Sequence, residues 1–189
     1  MDERFRDRMR RERTDVILRE AAGLASESGW TALRLEDVAR RAGIAKGTIY
    51  LDFKDKDELI TAAIRRSMTE VLSLMQVAAE KTDDAGQLGA ALRILASLPL
   101  DHPDLTAVFR ITHGENSPSR GSLDEIEHFL TRLFREAQAQ GSVNPDVDAE
   151  FAAQSTLASA AVPAWSRMAM KKGPDALLSQ LRFGPAHSA

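Results

Sequence analysis

The sequence contains no cysteine among its 189 residues. This absence excludes a disulfide framework, thiolate metal sites and a cysteine nucleophile, and it fits a reducing compartment. No apolar run approaches the roughly 20 residues that a transmembrane helix needs, and the charged N-terminus lacks the apolar core of a signal peptide. We therefore expect a cytoplasmic protein with no membrane partner. Aromatic residues are also few, at 5%, although 43% of the residues are hydrophobic. This balance favours a helical core rich in alanine and leucine.

The usual motifs of enzymes are missing as well. The sequence has no glycine-rich phosphate loop after a strand and no G-x-S-x-G elbow. Metal-binding spacings of the H-x-x-x-H or H-E-x-x-H kind do not occur among the four histidines, His102, His113, His128 and His187. His113 and Glu115 could form an acid–base pair, but both lie at the edge of a polar stretch that is predicted to be a mobile loop, residues 114–121. We therefore expect no catalytic residue, no metal and no cofactor.

A helix-turn-helix motif is predicted for residues 35–56. In its first helix, positions i, i+3, i+4 and i+7 form one apolar face, namely Leu35, Val38, Ala39 and Ala42. Gly43 follows, where a left-handed turn is easily adopted by glycine. The second helix, from about Ala45 to Phe53, turns Ile49 and Phe53 inward. Two short helices joined by a tight turn are typical of proteins that place the second helix in a major groove.

The second helix leaves a distinctive set of residues facing outward: Lys46, Gly47, Thr48, Tyr50 and Leu51. Gly47 lets the backbone approach a groove closely, and Thr48 can donate, accept or present a methyl group to thymine. Lys46, Tyr50 and Lys56 can reach phosphate oxygens, which position a protein without specifying sequence. An ordinary helical hairpin in a core has no need of this exposed series. DNA binding is therefore the preferred interpretation.

Residues 42–59 read A-G-I-x-K-G-T-I-Y-x-x-F-x-x-K-x-x-L. This spacing closely resembles the DNA-binding region of the TetR family of bacterial repressors, and the resemblance covers roughly residues 16–59. It implies an N-terminal three-helix DNA-binding domain whose DNA contacts come from Arg34, Ala45, Lys46, Gly47, Thr48, Tyr50, Leu51 and Lys56. Beyond Leu59, only the length and the helical character match the family.

The motif departs from the family at three places. Ala45 stands where a serine or threonine hydroxyl often contacts phosphate. Asp52 stands where a histidine or another polar group often precedes the phenylalanine, and its carboxylate would repel phosphate if it faced DNA. Leu33 and Arg34 replace a hydroxyl that commonly caps the following helix. These differences concern the backbone contacts and leave the motif itself standing.

The formal net charge of the chain is −3, which at first argues against DNA binding. Residues 1–56 carry 13 lysines and arginines against 11 acids, whereas residues 57–189 carry 12 against 17. Basic charge is thus mildly concentrated in the predicted DNA-binding region. Non-specific affinity should accordingly be modest and strongly salt-dependent.

Six arginines crowd residues 1–13, interleaved with four acids. They can form an arm that follows phosphates or enters the minor groove, or a solvated helical extension joined by i,i+4 ion pairs. Both interpretations remain open at the level of sequence. A capped helix is predicted to begin at Thr14 or Asp15 and to end at Ser28, before Gly29.

The rest of the chain is also predicted to be helical. Its helices are expected at about 57–81, 85–98, 123–140, 148–171 and 174–183, with the third starting from a cap at Ser122 or Asp124, the second ending before Pro99, and a further short helix from His102 through Thr112. We predict an all-α protein with a DNA-binding domain at 1–56 and a helical ligand-binding and dimerisation domain at 57–189.

The helix predicted at 148–171 is dense in alanine and serine. In the TetR-like pattern, helices near 123–140 and 148–171 form a four-helix dimer interface. Alternatively, alanine reflects helix propensity inside a monomeric core. We favour the homodimer because a single helix-turn-helix reads few base pairs, whereas two-fold pairing doubles the site.

The resemblance also implies a small-molecule pocket in the second domain. Adaptable methionine and aromatic side chains are the candidates for its walls, together with neighbouring leucine, threonine and histidine: Met68, Leu72, Met75, Phe109, Thr112, His113, Phe129, Trp165 and Met168. Such residues also serve as plain core. Pro163 is expected to kink the helix that contains it.

Together these features predict a ligand-responsive transcriptional regulator, a repressor that binds a palindromic double-stranded DNA operator as a homodimer and is released by an unknown, largely apolar effector. The alternatives are an activator or an architectural DNA-binding protein without an effector. A small helical enzyme is much less favoured by the sequence.

Overall fold

The computed structural model describes residues 3–83, 86–102, 105 and 120–160. Over these residues the regular structure consists of helices alone, as the sequence predicted. The seven helices of these ranges are α1 (Glu3–Ser28), α2 (Leu35–Arg41), α3 (Lys46–Ile49), α4 (Lys56–Glu80), α5 (Gln87–Asp101), α6 (Arg120–Ala139) and α7 (Ala149–Ala160).

Helix α1 begins at Glu3 and runs unbroken to Ser28. The predicted cap at Thr14 or Asp15 is therefore wrong, because the arginine-rich segment continues the same helix. The Asp15 carboxylate instead accepts hydrogen bonds from Arg19 and Arg66. Arginine and glutamate are good helix formers, and the buried residues Ile17 and Ala21 hold the following turns on the core. The N-terminal segment is thus a helical extension.

The helix-turn-helix forms as predicted, with a shorter second helix. Gly43 has φ of 69°, the left-handed conformation that the turn requires. Helix α3 ends at Ile49, short of the predicted Phe53. After Ile49 the backbone tightens into i→i−3 hydrogen bonds, with Leu51 and Asp52 donating to the carbonyls of Thr48 and Ile49. Ile49 and Phe53 are both buried, at 0% and 6% exposure, so the predicted inward face is confirmed.

Helix α4 is the central helix of the described structure and packs against α1, α5 and α6. Its N-terminus is capped by Asp55, whose side chain accepts a hydrogen bond from the Glu58 backbone N–H at 2.8 Å. One face of the helix is buried along its whole length, from Leu59 to Ala79. The buried hydrophobic residues of the described chain form one cluster that extends from α1 to α7. The predicted boundary between a DNA-binding domain at 1–56 and a ligand-binding domain at 57–189 stays a prediction.

Helix α5 does not stop before Pro99, which corrects the predicted end at Leu98. The helix continues to Asp101, with His102 donating its backbone N–H to Leu98 at 2.8 Å. Proline removes only its own N–H donor, and buried Leu95 and Leu98 keep this end of the helix packed on the core.

Helices α6 and α7 pack side by side and are joined by a turn at Gly141, where φ is 74°. The Gln138 side-chain amide donates to the carbonyls of Asn144 and Val147 and so secures this connection. Helix α6 already includes Arg120, so the predicted start at Leu123, the predicted cap at Ser122 or Asp124 and the end of the predicted 114–121 loop are wrong. Several predicted features lie outside the described residues. They are the rest of that loop, most of the short helix from His102 to Thr112 (only His102 and Leu105 are described), Pro163, and the helix predicted at 174–183.

In the described part of the chain, no helix is long and apolar enough to cross a membrane.

Candidate nucleic-acid interface

The second helix of the motif and the turn after it present a contiguous exposed strip. Tyr50 and Leu51 are 48% and 69% exposed, unusual values for large hydrophobic side chains. Lys46 and Gly47 are exposed too, and Thr48 is half-buried. About half of the Tyr50 surface and most of the Leu51 surface stay in water, so these parts of the side chains contribute nothing to the core. The strip is thus available to a partner.

The first residue of α3, Lys46, is paired with Glu36 of α2. The side-chain hydrogen bond from Lys46 lowers the pKa of Glu36 and, reciprocally, raises the pKa of Lys46. Both side chains are about half exposed, at 48% and 47%, so the pair is screened by solvent and easily rearranged. Lys46 can therefore exchange this carboxylate for a phosphate.

Two of the differences from the TetR pattern concern the starts of α2 and α3, and the structure shows their effect. Arg34 is the N-cap residue of α2 and Ala45 that of α3, and neither makes a side-chain capping hydrogen bond. Both residues are exposed. The backbone N–H groups at the start of α3 consequently have no capping hydroxyl.

Lys56 has a structural contact that the sequence did not reveal. Its ammonium donates to the backbone carbonyl of Thr31 at 2.9 Å. Since Thr31 lies between α1 and α2, Lys56 ties the start of α4 to that connection. An ammonium has three donors, so this bond leaves capacity for a phosphate.

Asp52 does not face outward as a bare charge. Its side chain is only 2% exposed and accepts hydrogen bonds from Arg10 and Arg13 of α1. The Nε atom of Arg10 lies 3.0 Å from Oδ1, and Arg13 donates from Nε and Nη2 at 3.0 Å each. Two guanidinium groups thus surround one carboxylate beside the exposed strip. The sequence contained the signal, since Arg10 and Arg13 lie on the helix face of buried Ile17, but their partner could not be read from it.

Ion pairs also join the motif to its neighbours. Arg41, at the end of α2, binds Glu20 and Glu27 of α1 at 2.9 and 2.6 Å. Arg66 of α4 binds Asp15 of α1 at 2.6 Å and Glu70 of its own helix at 2.9 Å. The hydrogen bond from Arg66 lowers the pKa of Asp15. These contacts fix α1 between the motif and the long helix α4.

An open groove of about 550 Å³ follows the junction of α1 and α4. It is lined by Asp15, Leu18, Ala62, Arg65, Arg66, Thr69, Glu70, Ser73 and Leu74. This groove shares no residue with the predicted effector pocket.

The predicted effector-pocket residues are only partly described. Met68, Met75 and Phe129 are buried in the core, at 1%, 0% and 9% exposure, and Leu72 is half-buried against it. The remaining candidates lie outside the described residues: Phe109, Thr112, His113, Trp165 and Met168. Within the described residues, no group of three or more histidine or acidic side chains could hold a metal ion.

A helix-turn-helix with an exposed second helix on a helical body is an arrangement typical of DNA-binding proteins. Residues 17–63 match the family described as "Bacterial regulatory proteins, tetR family". This match covers the helix-turn-helix with parts of α1 and α4, so the predicted DNA-binding region of the chain is similar to that of the family.

A curated protein and two solved structures are also similar to this chain. The HTH-type transcriptional repressor KstR of Mycobacterium tuberculosis is 28% identical over 145 residues, a match that covers 72% of this chain and 63% of the repressor. Regulator FadR of Bacillus subtilis, solved with stearoyl-CoA, shares the fold with a TM-score of 0.69 and 22% identity, over 89% of this chain and 97% of FadR. AibR, solved with isovaleryl coenzyme A and operator DNA, has a TM-score of 0.70 and 18% identity, over 89% and 97%.

Proposed function

We propose that the protein is a ligand-responsive transcriptional repressor that binds a palindromic operator as a homodimer. The observation that carries this proposal is the exposed strip on and after α3, from Lys46 to Leu51, which lies on a helix-turn-helix whose other large apolar residues pack inward. In this arrangement α3 enters the major groove. Thr48 and Gly47 approach the base edges, while Lys46, Tyr50 and Lys56 bind phosphates. Its place of action would be beside the chromosome, in the cytoplasm.

The repressing role is supported by the similarity to KstR, itself a repressor. That similarity covers 63% of KstR, so the sign of regulation belongs to the proposal. Activation, or an architectural role without an effector, remains the second candidate.

The effector is proposed to bind in the helical body, against the buried face of α4. FadR and AibR were each solved with an acyl thioester of coenzyme A, which makes such compounds the first to test. The acyl chain would be the apolar part that meets Met68, Met75 and Phe129, all of which are core residues here.

The dimer is proposed to form through α6 and α7. Within α7, the alanines at 149, 152, 153 and 160 are buried in the chain's own core. The opposite side carries Phe151, which is 68% exposed, with half-buried Ser155 and exposed Ala158 at i+4 and i+7. One exposed phenylalanine followed by small residues lets a second helix approach closely. This stripe is the proposed contact.

Coupling between the two functions is proposed to run through α4, because it joins the two proposed sites. Its first residue, Lys56, is bonded to the α1–α2 connection, and its middle holds α1 through Arg66. A shift of α4 would therefore move the helix-turn-helix. An effector that prefers the shifted state by a few kcal/mol would release the operator.

The experiment that tests DNA reading is selection of the purified protein on a library of random duplexes at physiological salt, followed by sequencing of the retained fraction. An enriched inverted repeat is expected, because a two-fold dimer reads two equal half-sites. Retention without an enriched sequence would favour the architectural role. Failure to retain any duplex, with and without acyl-CoA compounds, would contradict the proposal.

Two substitutions locate the reading surface. Lys46→Ala and Tyr50→Phe should each weaken binding to the selected duplex while helicity and dimerisation stay unchanged, since both side chains are exposed. Unchanged affinity in both variants would place the DNA contact elsewhere. Addition of stearoyl-CoA or isovaleryl-CoA to the complex then tests the effector class by release of the labelled duplex.

A further inference from the structure

The arginine-rich beginning of α1 is bound to the end of the helix-turn-helix through Asp52. Asp52, 2% exposed, receives three hydrogen bonds of 3.0 Å from Arg10 and Arg13. These contacts join positions about 40 residues apart in sequence. They are charge-assisted and, for Arg13, bidentate, so they fix direction as well as distance.

Helix geometry extends this contact towards the N-terminus. Arg6, Arg10, Arg13 and Ile17 recur at steps of four, three and four residues, so they share one face of α1. Ile17 is fully buried, which makes this the face turned towards the rest of the domain. Arg6 is exposed and lies one turn, about 6 Å, beyond Arg10 along the axis. Arg6 thus lies on the same face of α1 as the two arginines that bind Asp52, one turn closer to the N-terminus.

We propose that Asp52 is a positioning residue that holds the helical extension of α1 beside the reading helix, so that Arg6 binds a phosphate flanking the major groove occupied by α3. This inference rests on the proposed DNA-binding function. It reverses the expected effect of Asp52, because the carboxylate promotes DNA binding through the arginines that it organises. With two guanidinium groups around it, the local formal charge is positive and the carboxylate is shielded from phosphate.

The test separates positioning from simple repulsion by the sign of the effect. Asp52→Asn keeps the shape and one acceptor oxygen but removes the charge that holds two arginines. If Asp52 only repelled phosphate, this substitution would strengthen binding. If it positions the extension, binding to a labelled mixed-sequence duplex should weaken about three- to tenfold, and the slope of log K against log salt should become shallower by about 1 per subunit.

Arg6→Ala is the second variant, and it does not depend on the stability of the Asp52 contact. It should give a similar loss of affinity and of salt slope with an unchanged melting temperature, because Arg6 is exposed. In the Asp52→Asn background its effect should largely disappear, since a displaced extension no longer presents Arg6. Independent, additive losses would contradict positioning.

Glu12→Gln is the matched control. Glu12 is exposed on the opposite side of α1 from Arg10, so this change also removes one negative charge near the motif. Its affinity should rise slightly or stay the same. Tighter binding by Asp52→Asn, or an unchanged salt slope in Arg6→Ala, would overturn the proposal. Absence of binding by the unsubstituted protein would instead contradict the proposed function itself.

Discussion

Gly47 is the residue whose replacement best separates folding from DNA binding. It occupies the second position of α3, it does not have a positive φ, and a Cβ added there would meet no atom within 4 Å. The folded chain thus has no steric or conformational need for glycine at this position. A glycine inside a helix costs roughly 0.5–1 kcal/mol relative to alanine, so folding alone would favour alanine here.

Gly47→Ala should therefore stabilise the free protein slightly. Helix α3 has only four residues, so we expect a gain near the lower limit, about 0.5 kcal/mol. For a chain of this length that corresponds to a rise in melting temperature of roughly 1–2 °C. DNA binding should change in the opposite direction. The added methyl carbon lies about 1.5 Å from the Cα atom and would hold the backbone away from the groove. Loss of this close approach should weaken binding at least tenfold, about 1.4 kcal/mol.

Gly121→Ala provides the matched control for this prediction. Gly121 is also an exposed helical glycine, and a Cβ there would meet nothing within 4 Å, but it lies in α6, away from the motif. It should show a similar small gain in stability with unchanged DNA affinity. Thermal unfolding and fluorescence anisotropy with a labelled duplex measure the two quantities. Undiminished affinity of Gly47→Ala would refute the close approach of α3 to the groove.

Three further predictions concern named contacts. Glu36→Gln should increase DNA affinity modestly, because it releases Lys46 and removes a negative charge from the interface; weaker binding in the same anisotropy assay would mean that the pair orients Lys46 for phosphate. Asp15→Asn should lower stability at neutral pH by roughly 0.5 kcal/mol, since the carboxylate is 49% exposed and its pairing is screened. The pKa of Asp15 is lowered in the folded state, so the stability difference between the two proteins should have its full size above the ordinary pKa of 3.8 and diminish as pH falls below it. Urea unfolding at a series of pH values measures this difference; a difference that does not change with pH would exclude ionisation as its cause. If the proposed dimer forms through α7, Phe151→Asp should convert it to monomer in sedimentation experiments while helicity is retained, whereas a persistent dimer would place the interface elsewhere.

Much of the fold followed from local patterns. The helical class, the apolar face of α2, the left-handed turn at Gly43 and the inward direction of Ile49 and Phe53 are confirmed, because each depends on residues a few positions apart. Helix ends were less predictable. Pro99 did not end α5, because its last turn is packed on the core. Helix α1 began before the predicted cap, because the arginine-rich segment consists of good helix formers and Arg10 and Arg13 are bound to Asp52.

The candidate DNA interface was likewise only partly predictable from the sequence. By itself, the sequence determined that a helix-turn-helix exists and that Lys46, Gly47, Tyr50 and Leu51 are exposed, because helical periodicity is local information. Thr48, also predicted to face outward, is half-buried. Only the tertiary structure decided the state of the charged groups around it. Asp52, which would repel phosphate if exposed, is enclosed by Arg10 and Arg13 from another helix. The sequence gives the charge of each side chain, but the effect of that charge on DNA depends on neighbouring groups that come close only after the chain has folded.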